Sequence, residues 1–254
     1  MFRENRTKAK LRSGQPVFGV IGPTGDPELA EIVGLCGYDF YLLDAEHGSV
    51  TPREAANVAR ACEAVDITPL VRVGTRDPKT ILQYLDAGMM GIMSPDCTSV
   101  EQVRALVRAI KYPPDGERGL GAARAARYLL GPMPQADYVA AANRETIVWP
   151  QLEDAAALGQ LAEIVAVAGI DGLVIGPRDL ALNMGFPDGP NHAEVQAVID
   201  QVLETCRGRI PVGTTAATAE AANVELARGA RILFNSIPNL LRHGARTFLD
   251  GVRR

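Results

Sequence analysis

The chain is predicted to fold as a (β/α)8 TIM barrel, and three observations predict it. Eight short apolar runs alternate with eight longer helical runs along its 254 residues, the count of such a barrel. The short runs are near-continuous rather than alternating, as in parallel strands covered on both faces. The competing fold, a doubly wound open sheet, would favour a dinucleotide loop after its first strand. GVIGPTGD instead spaces its glycines wrongly for GxGxxG.

The first strand, 17–22, reads VFGVIG and leads to a helix over 27–36. Strand 40–44, FYLLD, precedes a helix over 52–64 that opens TPRE. There Thr51 can cap, Pro52 suits the first turn and Glu54 completes a capping box. Strand 69–73, PLVRV, is followed by a helix over 78–87 opening Asp77-Pro78. Strand 91–94 leads to a helix over 98–110 that Thr98 or Ser99 can cap. Strands 146–150, 172–175, 212–215 and 231–235 alternate with helices over 154–168, 193–207, 218–228 and 237–250. A single domain over 1–254 follows. One connection, 111–145, is too long for a minimal barrel. Its Gly, Pro, Ala and Arg content marks either a functional or oligomer-holding segment, or a surface insertion with a short helix near 137–143.

Composition excludes several classes of function. A hydrophobic content of 47% with 22% charged residues is that of a globular protein, not a disordered one. A net charge of −4 with scattered arginines leaves no basic footprint for nucleic acid. No apolar run is long enough to span a membrane. The basic N-terminus, MFRENRTKAKLRSG, lacks the apolar core of a secretory signal, so a cytoplasmic location is expected. Cysteines 36, 62, 97 and 206 form no CxxC pair and read as small hydrophobes rather than a zinc or disulfide framework. Only three histidines exist, so any metal would be held mainly by oxygen.

Barrel enzymes place their chemistry at the C-terminal strand ends. Here the second strand runs into Asp44-Ala45-Glu46-His47, and the third carries Arg72 within an apolar frame. The fifth runs into Gln151-Leu152-Glu153-Asp154, the sixth into Gly176-Pro177-Arg178-Asp179. Glu153 and Asp179, from neighbouring strands, suit a hard divalent ion such as Mg²⁺ or Mn²⁺, although each could also cap a following helix. Arg72 needs a carboxylate such as Asp44 or Asp86, or an anionic ligand, to offset its desolvation. It would then be either a salt bridge or a fixed cation beside a developing enolate. His47 is suited to proton transfer near neutral pH, with Asp44 or Asp86 to orient its ring. The four lysines, at 8, 10, 79 and 111, all fall outside the strands, which excludes a Schiff-base aldolase.

FYLLDAEHG, PLVRV, VWPQLED and GLVIGPRDLALNMG, with KYPPDGERGLG at 111–121, resemble the HpcH/HpaI family of metal-dependent class II pyruvate aldolases. The likeness runs from about Ser13 to Val252. It implies a barrel that reversibly cleaves a 4-hydroxy-2-keto acid to pyruvate and an aldehyde through a metal-held enolate, with Mg²⁺, Mn²⁺ or Co²⁺. By position it implies Glu153 and Asp179 as metal ligands, His47 as base and Arg72 as enolate stabiliser. Gln151 is implied as a site residue, and the backbone of Gly176, Pro177, Arg178 and Asp179 as the carboxylate cradle. It further implies a hexamer, a trimer of dimers with an exchanged C-terminal helix and acids shared across the interface. Departures from the family in the first strand, the MSPDC segment and the loop after RGLG are expected to bear on the aldehyde side of the mouth.

Two other readings use the same site residues. One is oxaloacetate decarboxylation, or citryl- or malyl-CoA lysis, though no basic nucleotide site stands out at this length. The other, more remote, is a keto-acid-binding barrel without turnover.

Overall fold

The structure, a computed structural model, describes residues 3–252; the single-domain span of 1–254 extends two residues beyond these at each end. Helix α1 (Arg6–Arg12) precedes β1 (Val17–Gly22), α2 (Pro27–Leu35) and β2 (Phe40–Ala45). The chain continues through α3 (Pro52–Ala64), β3 (Thr68–Val73), α4 (Pro78–Ala87), β4 (Gly91–Ser94) and α5 (Val100–Ile110). After the long connection, which holds α6 (Gln135–Glu145), come β5 (Ile147–Leu152), α7 (Leu161–Val165) and β6 (Leu173–Ile175). The last elements are α8 (Pro177–Asn183), α9 (Ala193–Cys206), β7 (Val212–Thr215), α10 (Ala219–Arg228), β8 (Ile232–Ser236) and α11 (Ile237–Gly251). The eight strands are parallel and pair in sequence order, with β8 returning to β1, so the barrel is closed and no strand edge is exposed.

Side-chain alternation divides the strands into two layers. Phe40 and Leu42 of β2, Leu70 of β3, Ile147 and Trp149 of β5 and Phe234 of β8 fill the barrel interior. Phe40 meets the ring of Trp149 edge-on at 5.4 Å, and Gly19 leaves the room: a Cβ there would lie 2.1 Å from Phe40. Tyr41, Leu43 and Val71 face outward into the larger layer shared with the helices. Full burial of such side chains stabilises the fold by roughly 1.5–3 kcal/mol each.

The predicted capping chemistry is present. Thr51 and Glu54 form the reciprocal box, and Asp77 and Ser99 cap α4 and α5. Two helices, α1 and α8, were not anticipated from periodicity. The predicted helix 154–168 begins instead as a 3₁₀ segment over Ala155–Gln160, capped by Asp154, before α7. Gly159 disfavours an α-helix there, and the Gln160 side chain turns to accept from Val100 N at 3.0 Å.

Helix α1 closes the N-terminal end of the barrel. Asn5 caps it and also donates to the carbonyls of Met90 and Glu145, while Lys8 pairs with Asp171 at 2.8 Å. Lys111 donates to the carbonyls of Asn143 and Thr146 at 2.8 and 2.7 Å. Both buried lysines thus sit at the end opposite the strand tips, out of reach of any Schiff-base chemistry at the mouth. Burial and the adjacent Lys8 ammonium push Lys111 down to about 7. A lysine lowered from its unfolded value of about 10.4 leaves the unfolded chain holding more protons between those two values, so stability rises with pH across that window. Unfolding free energy by denaturant titration is expected to gain about 2 kcal/mol from Lys111 between pH 7 and 9. Lys111→Met should remove that part of the gradient; an unchanged gradient would assign it to other groups.

The loop after RGLG, expected to bear on the mouth, packs at the opposite end instead, where Ala125 N donates to the Asp86 carbonyl and Arg124 to that of Ala87. The reason is topological: the connection 111–145 links the C-terminus of α5 to the N-terminus of β5, and both lie at the barrel's N-terminal end.

Candidate active site

The alternation that buries Phe40 and Leu42 carries Asp44 onto the barrel axis at the mouth. The same parity carries Arg72 there after Leu70, and Gln151 and Glu153 after Ile147 and Trp149. Asp44 and Arg72 are register partners on neighbouring strands. Their side chains meet in a bidentate pair, Arg72 Nε to Asp44 Oδ1 at 3.0 Å and Nη2 to Oδ2 at 2.7 Å. Burial works against charge on Asp44, but the two guanidinium bonds and the N–H groups of Glu46 and His47 outweigh it and hold the carboxyl below its usual range.

Glu153 is 4% exposed. Its Oε1 accepts from Gln151 Nε2 at 2.6 Å and its Oε2 from Asp96 N at 3.3 Å. Burial, with Asp179, Glu46 and Asp96 nearby, pushes its carboxyl up to about 7 despite the Asp96 N–H. Gly176 must lack a side chain, since a Cβ would stand 2.5 Å from Glu153 Oε1 and 2.9 Å from Gln151 Nε2. Pro177 occupies the first turn of α8, and the helix sets Asp179 in that same turn. Asp179, Arg178, Gln151, Arg72 and His47 all line one cavity of about 410 Å³ that opens to solvent.

The donor set fits a hard divalent cation. Buried Gln151 Oε1 accepts no hydrogen bond, and Glu153, its carboxyl raised, lies close to further acids, an arrangement that a cation would neutralise. Among the described residues no group of three or more His, Cys, Asp or Glu gathers as a ligand set. The protein would therefore supply two carboxylates, Glu153 and Asp179, and leave the other positions to water and substrate.

His47 is placed at the mouth but is not oriented as expected. Its ring lies 3.9 Å from Glu46 Oε2, the closest ion-pair contact it makes, and its side chain is 66% exposed. Asp44 is committed to Arg72 and touches His47 only through the backbone N–H at 3.3 Å. Asp86 is on the last turn of α4, at the far end of the barrel, where it accepts from Arg118 at 2.7 Å. Neither carboxylate orients the imidazole within one chain, because helix α4 runs away from the mouth and Asp44 has a stronger partner. Glu46, just past the second strand end, also belongs to the site: its Oε2 lies 3.2 Å from Arg72 Nε. The cavity also includes Asn235, Asn239 and Arg242 from β8 and α11, none of them identified from the sequence. A polar residue at the eighth strand end was the one available signal.

Residues 18–233 match the family model described as HpcH/HpaI aldolase/citrate lyase. The chain belongs to the HpcH/HpaI family. Within that family it is 42% identical over 197 residues to the hydroxypyruvate/pyruvate aldolase of Sagittula stellata, covering 77% of this chain and 76% of the relative. It is 36% identical over 232 residues to the 4-hydroxy-2-oxo-heptane-1,7-dioate aldolase of Shigella sonnei, covering 89% and 86%. A solved HpcH/HpaI-family structure from Burkholderia cenocepacia superposes with a TM-score of 0.91 at 31% identity, covering 98% of this chain and all of that one. This HpcH/HpaI member is a carbon–carbon lyase, a class II pyruvate aldolase that cleaves a hydroxy-keto acid and depends on a divalent metal. No helix among the described residues is long and apolar enough to cross a membrane.

Proposed function

We propose that the aldolase acts with Mg²⁺, Mn²⁺ or Co²⁺ held by Glu153 and Asp179, with His47 as the proton-transfer group and Arg72 as the enolate's cation. The observation that carries this reading is the buried Glu153 carboxylate, set against Gln151 and Gly176, which line the cavity that Arg72 enters. When bound, the metal polarises the keto group and acidifies the adjacent methyl or methylene protons. Pyruvate's carboxylate lies along the backbone from Gly176 to Asp179, at the start of α8. Gln151 orients Glu153 through its 2.6 Å hydrogen bond. Arg72, immobilised by Asp44, presents its remaining N–H groups to the keto oxygen as charge develops on it. In cleavage His47 takes the C4-hydroxyl proton, the C3–C4 bond breaks, the aldehyde leaves, and the bonding pair passes to C3. In synthesis it takes a proton from the pyruvate methyl.

The whole chain, 1–254, acts as one catalytic domain in the cytoplasm and as a homo-oligomer, a hexamer built as a trimer of dimers. Support for oligomerisation lies in α11, which buries none of its residues and exposes Leu241, Phe248 and Leu249. Beside it Phe18 of β1 is also exposed, so exchange of α11 between protomers would cover both surfaces. In such an assembly Asp86 becomes available to a neighbour's His47.

Treatment with EDTA is expected to abolish both pyruvate-forming cleavage and solvent deuterium exchange into pyruvate's methyl group. Mg²⁺, Mn²⁺ or Co²⁺ should restore both, and His47→Ala should lose the exchange. Full activity in EDTA, together with inactivation by borohydride in the presence of pyruvate, would overturn the reading.

A further inference from the structure

We propose that Arg242, positioned by Asn239, is a specificity-determining residue that selects an aldehyde bearing an anionic group at the end remote from its carbonyl. The inference rests on the aldolase reading above and concerns the side of the cavity that this reading does not use.

Acids and arginines meet at this mouth. Asp179 lines the cavity, Glu153 is buried against Gln151 and Gly176, and the Asp44–Arg72 pair with Glu46 stands at the ends of β2 and β3. Arg178 and Arg242 lie along the same cavity, reached from the start of α8 and the second turn of α11. Arg72 has its charge balanced by Asp44. Among the described residues neither Arg178 nor Arg242 has a carboxylate within ion-pair distance, so two guanidinium charges in one substrate cavity stand uncompensated. The pyruvate end supplies one carboxylate. A second anionic group on the substrate would answer the remaining charge.

Arg242 is also held in place. Its Nη2 donates to Asn239 Oδ1. Asn239 cannot turn freely, because its Nδ2 donates to the Ala217 carbonyl at 2.9 Å and to Asn235 Oδ1 at 2.7 Å. Asn235 is fixed in turn by Ser236 N, which donates to the same Oδ1 at 2.8 Å, and by its own donation to Ala217 O at 3.2 Å. This amide relay ties the guanidinium to the loop after β7 and leaves four of its five N–H donors free. A fork held in this way loses little entropy on binding and matches a carboxylate or a phosphate bidentately. A neutral aldehyde chain offers these donors no acceptor in exchange for their water. Both anions share the chemistry, and the experiment separates them.

The test measures kcat/KM for aldol addition of pyruvate to two matched pairs of aldehydes in the metal-loaded enzyme. One pair is succinic semialdehyde against butanal, the other glyceraldehyde 3-phosphate against glyceraldehyde. The wild-type enzyme is expected to prefer the anionic member of at least one pair by about 10- to 100-fold, the span of one charge-assisted bidentate contact. The preferred pair identifies carboxylate or phosphate. Arg242→Gln should lower that ratio about tenfold, Arg242→Lys should recover part of it, and raised ionic strength should shrink it in the wild type. No anionic preference in a wild-type enzyme that still exchanges pyruvate's methyl protons would overturn the inference while leaving the aldolase reading intact. Equal loss by Arg242→Gln with both members of a pair would also overturn it, and absent wild-type exchange would strike the aldolase reading itself.

Discussion

Arg72→Lys is expected to lower kcat/KM for pyruvate release by about 10²- to 10³-fold while leaving the protein folded, because loss of one preorganised donor to a developing oxyanion costs this much. Lysine keeps the charge but not the geometry. The guanidinium uses Nε and Nη2 on Asp44 at 3.0 and 2.7 Å, and its planarity then fixes where the other N–H groups point. An ammonium on a flexible stem can satisfy Asp44 or the substrate oxygen, but not both at defined angles. Asp44→Asn should produce a loss of similar size, since it frees the same fork. Steady-state kinetics with a thermal melt of each variant check the expectation. Arg72→Lys retaining a third or more of wild-type kcat/KM would remove Arg72 from the role of enolate stabiliser.

Glu153→Gln is expected to reduce pyruvate methyl exchange by at least about 10³-fold, and divalent-cation affinity with it, while raising the melting temperature measured in EDTA. The two effects have one cause. Glu153 is buried near Asp179, Glu46 and Asp96, and burial with these acids pushes its carboxyl up to about 7. A neutral amide of the same shape removes that like-charge repulsion and desolvation, and each 1 kcal/mol regained raises the melting temperature by about 2–4 °C at this chain length. The same amide leaves a cation one carboxylate fewer. Loss of function with gain of stability is the signature of a residue retained for chemistry. If Glu153→Gln instead melts lower in EDTA and keeps its cation affinity, Glu153 serves the fold and not the metal.

Much of the site was legible in the sequence because barrel alternation is a local property. Once Phe40 and Leu42 face inward, Asp44 must follow them, and Arg72 must follow Leu70. The glycine before Pro177 and Asp179 was equally readable as a strand end. The partners were not readable. Asp86 was offered to His47 on the strength of its charge, but direction along α4 takes it to the far end, where Arg118, 32 residues on, claims it. Lys8 and Asp171, 163 residues apart in the chain, meet only because α1 folds beneath the barrel. Helix α1 escaped notice for a related reason: at seven residues its periodicity is weak, and its holding contacts come from Met90 and Glu145.

Patterns a few residues long set the strand–helix repeat, the inward column of each strand and the acids and arginine at the mouth, and these can be read along the chain. Only the folded chain shows that the sheet closes from β8 to β1, which gathers the eight strand tips round one mouth where the end of β8 and the start of α11 face the same cavity as α8. Arg242 therefore shares a cavity with Asp179, more than sixty positions earlier, although nothing in its neighbourhood of the chain marks it as a site residue. A charge acquires its role from the partner it meets, and those partners are chosen by closure rather than by spacing.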